Sequence, residues 1–551
     1  MKNLILLVLL ILPLFAFNQK TEKPKIVVGI VVDQMCYEYL YRYQDRFGEN
    51  GFKKIMQNGT NCRTTLYNYV PTFTGPGHAS IYTGTTPANH GIVGNEWYDR
   101  NASRVLNCVF DSTAKSVGTT SSGGMCSPKN LKTYTITDQL KMTYPNAKVI
   151  SVSIKDRSAI LPGGHLSDGS YWFDYSTGKF ITSSFYKSEL PQWVSDFNAV
   201  ENAEKYMKET WNTMYDMSTY TASGPDNSPY EQVLTGKTTP TFPYDLAQMN
   251  ASALAVGKNN FSLFTVTPFA NTYLTNFALN AITSEKLGTD AQTDMLCISY
   301  STPDIAGHSF GMQSVELEDM YLRLDLELAK LICSLEKQFG KDGFVLFLTA
   351  DHAVVPVPQY LVDKQLPGGY MFVKQPLETL KKACLDKYGA SLVLCEENQN
   401  IYLDHKKIDE LNLNISQVAD FVAAQIRSWD GVKAVYTPSD LTTAAKDQWQ
   451  GMVIKGVHPK ESGDVVFILE PGYLMKEVDD PAAHKGTSHG SAFNYDTHVP
   501  LIWYGASIPS QEVFRTVEIT DIAATLSHIL FLQRSGAMTG LPILEILEKN
   551  R

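Results

Sequence analysis

Residues 25–33 read KIVVGIVVD. The run is β-branched and apolar without alternation, so both faces of the strand it forms must be covered. A strand of that kind belongs inside a mostly parallel sheet with helices on both faces. Asp33 closes the run at its carboxyl end, the edge where open α/β sheets gather ligands. Taken alone, an aspartate there serves equally well as a turn residue.

The same pattern recurs along the chain. Lys148–Ile154 is a strand followed by Lys155-Asp156-Arg157. Met295–Ser301 is a strand followed by PDIAGH at 303–308, and Phe344–Leu348 runs into Thr349-Ala350-Asp351-His352. Helical patterns cover Thr267–Leu287, Leu317–Leu335 with Gly340 as a stop, and Ile522–Leu530. The motif GTSHG at 486–490 precedes a last core strand, Val499–Tyr504.

These elements give a core in three pieces, residues 19–160, 265–353 and 484–551. Two insertions interrupt it. Residues 161–264, rich in aromatic residues, Ser and Asn, are expected to cap the sheet with short helices such as Asn202–Met214. Residues 354–483 are expected to form a small α+β unit. Its parts would be a hairpin over Ser391–Leu403, a helix over Ser416–Trp429 and strands at Lys433–Tyr436 and Asp464–Leu469.

With 551 residues, 44% of them hydrophobic, the chain can bury a large core in two or three lobes. The formal charge of −10 disfavours nucleic acid or an anionic membrane as the main partner. Lys2 and the apolar run Leu4–Phe17 read as a signal peptide over residues 1–18, cleaved near Ala16–Gln19. No cysteine lies there to carry a lipid, so the mature protein is expected to be periplasmic or secreted, without a transmembrane anchor. The eight cysteines permit disulfides, with Cys384–Cys395 and Cys108–Cys126 the nearest pairs. Cys333, on an amphipathic helix, is expected to be a buried thiol. The absence of CxxC argues against cysteine-held zinc.

The chemistry centres on TFTGPGHAS, residues 72–80. Thr74 precedes Gly-Pro-Gly and a helical run, so it would lie at a helix N-terminus, where the field favours an anionic nucleophile. The same residue is also an ordinary helix cap. Asp304 and His308 lie one helical turn apart and suit zinc. Asp33, Asp351 and His352 make one oxygen-plus-nitrogen set; Asp304, His308 and His489 make another. Two such sets around a hydroxyl describe a two-metal hydrolase. If the strand continues through Lys155 and Arg157, both point to one side, as an oxyanion clamp or as a solvated edge pair. Asn95 donates to an oxyanion or makes a turn, and His90, His484, His498 and His528 read as structural.

Asp33, Thr74-Gly75-Pro76-Gly77-His78, Asp304-x-x-x-His308, Asp351-His352 and Gly-x-x-His489-Gly, in that order, resemble the alkaline phosphatase superfamily. The branch they resemble most is the phosphate-irrepressible (PafA-type) bacterial alkaline phosphatases. The resemblance implies a three-layer α/β sandwich with a mostly parallel central sheet, helices on both faces and two cap insertions. It implies two zinc ions, one held by Asp33, Asp351 and His352, the other by Asp304, His308 and His489, with Thr74 phosphorylated. Asn95, Lys155 and Arg157 would hold the phosphoryl oxygens.

Related nucleotide pyrophosphatases and phosphodiesterases lack the Lys-x-Arg pair, so the resemblance favours phosphate monoesters. Sulfatases carry C/S-x-P-x-R, which TFTGPGH is not, and the cofactor-independent phosphoglycerate mutases use serine. The expectation is an exported alkaline phosphatase acting as a monomer on small phosphorylated metabolites, with a structural calcium left open. The rivals are a phosphodiesterase on the same scaffold and a non-catalytic exported binding protein.

Overall fold

The computed structural model describes residues 23–258 and 260–547. The signal peptide expected over residues 1–18 lies outside them. An 11-stranded sheet spans the molecule. Its centre is parallel: Phe344–Thr349, Ile26–Val32, Asp294–Tyr300, Val149–Ser153 and Gly169–Asp174 lie side by side in that order. Antiparallel strands flank this block, Leu501–Gly505 on one side and Lys179–Ser183 on the other. Every residue of Ile26–Val32 is buried, as a strand with helices over both faces requires.

Register sets where the loops emerge. Ile26 pairs with Asp294 on one side and Phe344 on the other, and Val31 stands opposite both Ser299 and Thr349. Asp33 and Asp351, each two residues further on, therefore leave the sheet at one level. The helix Thr302–Phe310 starts just past the strand between Lys155 and Asp33, at the same edge.

The helix Val315–Phe339 lies against the sheet. Ser314 caps it by accepting from Leu317 N, and Leu317, Leu324, Leu328, Leu331 and Leu335 form its buried stripe. Each such leucine contributes about 2 kcal/mol of burial. The helix stops at Gly340, whose φ of 72° suits a residue without Cβ.

Residues 161–264, expected to cap the sheet, first add two strands to it, Gly169–Asp174 and Lys179–Ser183. The helix expected over Asn202–Met214 is not continuous. Helices Gln192–Val200 and Ala203–Tyr206 flank Glu201 and Asn202, and a short strand, Thr210–Trp211, follows. The second insertion holds a four-stranded sheet in the order Val393–Glu397, Asn400–Leu403, Val465–Leu469, Val432–Tyr436, covered by the helix Ile415–Ile426. It has a hydrophobic cluster of its own. The tip of its hairpin turns through Asn398 and Gln399, with φ of 55° and 61°, and reaches the core, where Asn398 Nδ2 donates to Glu96 O at 2.6 Å.

The cysteines depart from expectation. All eight are free thiols. Cys384 sits in the core of the second unit, whereas Cys395 packs on a different cluster, so the two face apart. Cys108 and Cys126 share a cluster without bonding, and burial pushes the Cys108 thiol up to about 12. Cys333 is exposed, because it lies on the face of its helix opposite Leu331 and Leu335.

Candidate active site

Thr74 is the first residue of the helix Thr74–Thr83 and is 1% exposed. Phe73, in extended conformation, occupies the cap position, and no side chain caps the helix. The Thr74 hydroxyl is therefore not used as a helix cap. It lies 3.4 Å from His352 Nε2. His78, one turn on, is buried between Thr74 O, to which its Nδ1 donates at 2.9 Å, and the Ser299 hydroxyl at 2.8 Å. Burial pushes its ring down to about 4, so it is a neutral strut between helix and sheet. Asn95 Oδ1 accepts from Gly75 N at 2.7 Å, which ties its loop to the same helix start.

Around Thr74 stand three aspartates and three histidines. Asp304 Oδ1 is 3.2 Å from His308 Nε2 and 3.6 Å from His489 Nε2. His352 Nε2 is 3.4 Å from Asp33 Oδ1 and 3.6 Å from Asp351 Oδ2. Each histidine turns Nδ1 to a main-chain carbonyl: His308 to Thr487 O at 2.8 Å, His352 to Ala353 O at 2.9 Å, His489 to Thr72 O at 2.8 Å. A carbonyl only accepts, so Nδ1 carries the hydrogen and Nε2 faces the carboxylates. Burial pulls His352 well below the usual range and His489 down to about 3, which keeps both rings neutral. His308 differs: burial lowers it, but Asp304 outweighs that and raises it.

Imidazole lone pairs aimed at carboxylate oxygens repel unless a cation lies between them. Asp33 Oδ1 and Asp351 Oδ2 are buried without a hydrogen-bond donor. Burial, together with Asp304 and Asp351, drives Asp33 upward, and burial takes Asp351 to about 7. Burial would raise Asp304 as well, but His308 and Lys155 hold it well below the usual range. The donors converge in two trios, Asp304–His308–His489 and Asp33–Asp304–His352, each with ligand atoms within 4.8 Å of one another. Mixed carboxylate and imidazole donors with fixed Nδ1 partners fit metal binding. The second trio contains Asp304 where the sequence reading has Asp351, which borders the same trio through His352.

Lys155 reaches into this cluster and bonds Asp33 Oδ2 at 2.7 Å and Asp304 Oδ2 at 2.5 Å. It is the cap residue of the helix Asp156–Gly163, so the strand does not continue to Arg157 as the shared-side reading requires. Arg157 lies in the first turn, with Nε 3.7 Å from Asp156 Oδ1. Lys155 and Arg157 nevertheless border one cavity of about 510 Å3, with Trp172 and Tyr175.

Two residues escaped the sequence reading. Gln34, at φ 67°, donates from its backbone N to Asp351 Oδ1 at 3.2 Å and from Nε2 to Asp304 Oδ1 at 2.6 Å. His78 is the other. Gln34 is marked only by its adjacency to Asp33, and His78 only by its place in the motif after Thr74.

The family model for type I phosphodiesterase / nucleotide pyrophosphatase matches residues 27–492. The chain belongs to this family, a branch of the alkaline phosphatase superfamily. Several members similar to it over nearly their whole length carry phosphatase names. Alkaline phosphatase PhoV of Synechococcus elongatus is 39% identical over 97% of this chain and 94% of its own. Alkaline phosphatase PafA of Elizabethkingia meningoseptica is 38% identical over 96% of each chain. A crystal structure of alkaline phosphatase PafA matches with a TM-score of 0.90 at 37% identity, covering 96% of this chain and 99% of that one. A PafA variant changed at a threonine, an asparagine, a lysine and an arginine also matches, with a TM-score of 0.89. Its threonine and asparagine, and its lysine and arginine, are spaced as Thr74 is from Asn95 and Lys155 from Arg157. A relative from Myroides odoratus, 38% identical over 97% of this chain and 96% of its own, is named a calcium-transporting ATPase. Among the described residues no helix is long and apolar enough to cross a membrane.

Proposed function

We infer that this alkaline phosphatase hydrolyses phosphate monoesters of small metabolites through a phosphothreonine on Thr74. The observation that carries the reading is the uncapped Thr74 hydroxyl at a helix N-terminus, 3.4 Å from His352 Nε2. Its oxygen attacks phosphorus in line. The bond to the ester oxygen breaks, and the alcohol leaves with a proton. Water then attacks the phosphothreonine, releasing inorganic phosphate and restoring the hydroxyl.

Two zinc ions, held by Asp33, Asp351 and His352 and by Asp304, His308 and His489, with Thr74 beside them, would activate the nucleophile and offset charge on the leaving oxygen. The chain's own groups do the rest. The Asn95 amide, anchored through Oδ1 to Gly75 N, keeps its Nδ2 for a phosphoryl oxygen. Lys155 and Arg157 supply positive charge where a monoester carries one more anionic oxygen than a diester. The helix dipole at Thr74 favours the phosphorylated state.

The second reading is a phosphodiesterase, favoured by the name of the family model. The ratio of monoester to diester turnover by the zinc-loaded protein tests between them, and phosphate trapped at low pH on Thr74 tests the mechanism. Turnover itself excludes a non-catalytic binding protein. The signal-like residues 1–18 support export to the periplasm or beyond, and the enzyme is taken to act as a monomer.

A further inference from the structure

A second cavity, of about 170 Å3, lies between the tip of the second unit's hairpin and His489 and shares no lining residue with the one bordered by Lys155 and Arg157. Glu396 and Glu397 enter it from the hairpin, Asp496 from the core, and Phe73 and Tyr473 add aromatic surface. Three carboxyl residues and no lysine or arginine border it. Asp496 is fully buried. Its Oδ2 accepts from Ser491 N at 2.7 Å, while its Oδ1 has no hydrogen-bond partner. Glu396 Oε1 accepts from Gln399 N at 2.7 Å, which stiffens the turn, and the Asn398–Glu96 bond pins that turn one residue from Asn95.

The cavity also meets the reaction centre. Phe73 directly precedes Thr74, and its ring stands edge-on to His489 at 5.4 Å and 70°. Cationic groups thus border one of the two cavities and carboxyl groups the other. Burial pushes Glu396 and Asp496 up to about 8 and Glu397 to about 7, so this wall becomes anionic on the alkaline side of neutrality. There, a cleft of one sign of charge with low-dielectric walls concentrates the opposite charge. A pocket this small takes a short alcohol rather than a nucleoside.

We propose that this cavity receives the alcohol half of the substrate and selects phosphate monoesters whose alcohol carries an ammonium group. This rests on the monoesterase reading above. The phosphoryl group faces Lys155, Arg157 and Asn95. The ammonium meets Glu396, Glu397 and Asp496 across the faces of Phe73 and Tyr473, as carboxylates and aromatic rings together hold alkylammonium ions. The alcohol departs with its ammonium group unchanged, so no further reactant is needed.

The test compares kcat/KM at about pH 8.5, above the raised carboxyl values, on 2-aminoethyl phosphate and on propyl phosphate, for the wild type and for Glu396→Gln/Glu397→Gln. The double variant should lose about tenfold more on the aminoethyl ester than on the propyl ester, the scale of one charge-assisted contact. Equal losses on both esters would make the glutamates structural and overturn the proposal, as would an unchanged ratio. If the variant does not fold, the wild type alone decides: ethanolamine should inhibit at concentrations where propanol does not, and equal inhibition refutes the idea. A wild type that hydrolyses neither ester, nor an aryl phosphate, overturns the monoesterase reading itself.

Discussion

Lys155 Nζ lies 2.5 Å from Asp304 Oδ2 and bonds Asp33 Oδ2 as well, so one ammonium spans carboxylates from both ligand sets. Burial lowers the lysine, but Asp304 and Asp33 outweigh it and hold the group charged. On the proposed reading, removing it takes away a donor for substrate; it also takes away the ammonium that two buried carboxylates share.

Lys155 and Arg157 should therefore behave differently when mutated. Each alanine variant should lose roughly a hundredfold in monoester kcat/KM, about 3 kcal/mol, and less on a matched diester. Only Lys155→Ala should also change zinc affinity, because Arg157 bonds neither Asp33 nor Asp304 among the described residues. Matched aryl monoesters and diesters, with a zinc titration of each variant, give both numbers. Equal losses on the two ester classes would return the phosphodiesterase to first place.

Thr74→Ala should abolish nearly all turnover and keep its metal, since all six Asp and His donors remain. Thr74→Ser should retain substantial activity. Rapid-quench labelling that finds no phosphate on residue 74 would mean water attacks directly.

Metal analysis should find two zinc ions per chain. Chelation should remove activity and lower Tm, because a ligand bound only by the folded state stabilises it. Added zinc should restore both. A fully active preparation holding one zinc or none contradicts the two-metal site.

Away from the site, Glu231 and Glu316 are buried, and each has an oxygen without a hydrogen-bond partner. Burial drives both upward, and Glu316 and Asp226 raise Glu231 further. Their folded pKa values lie above the unfolded value of about 4.3. The folded state therefore holds protons that the unfolded state has released, and stability falls as pH rises from about 4.3 through neutrality, by up to ~1.4 kcal/mol per pH unit for each group. Glu316→Gln keeps an acceptor for Tyr244, which donates at 2.6 Å, and should flatten the fall. Thermal midpoints from pH 5 to 8 measure it, and parallel curves for the two proteins would show that Glu316 does not titrate there.

What was legible in the sequence follows from range. The strand at 25–33 was readable because seven buried residues in a row leave no other pattern. Asp33, Asp304, His308, Asp351 and His352 were readable because each follows a strand of that kind. Gln34 and His78 were not, because their partners lie hundreds of residues away or in backbone geometry that composition does not mark. The sequence leaves open whether the strand runs on through Arg157; it does not, because a helix begins at Asp156. The disulfides that the cysteine count permits do not form, because nearness in sequence says nothing about which face of a sheet or helix a thiol occupies.

The pairing of Ile26 with Asp294 and Phe344 also bears on how the molecule comes into being. The first strand among the described residues ends up at the centre of the sheet, yet its two neighbours follow about 270 and 320 residues later. Until then it is an apolar ribbon with two open edges, the kind of segment that seeks other chains. Closing so long a loop makes folding slow. A holding chaperone, or passage across a membrane before folding starts, would shield that ribbon during the wait, and yield on overexpression should depend on which of these the host supplies.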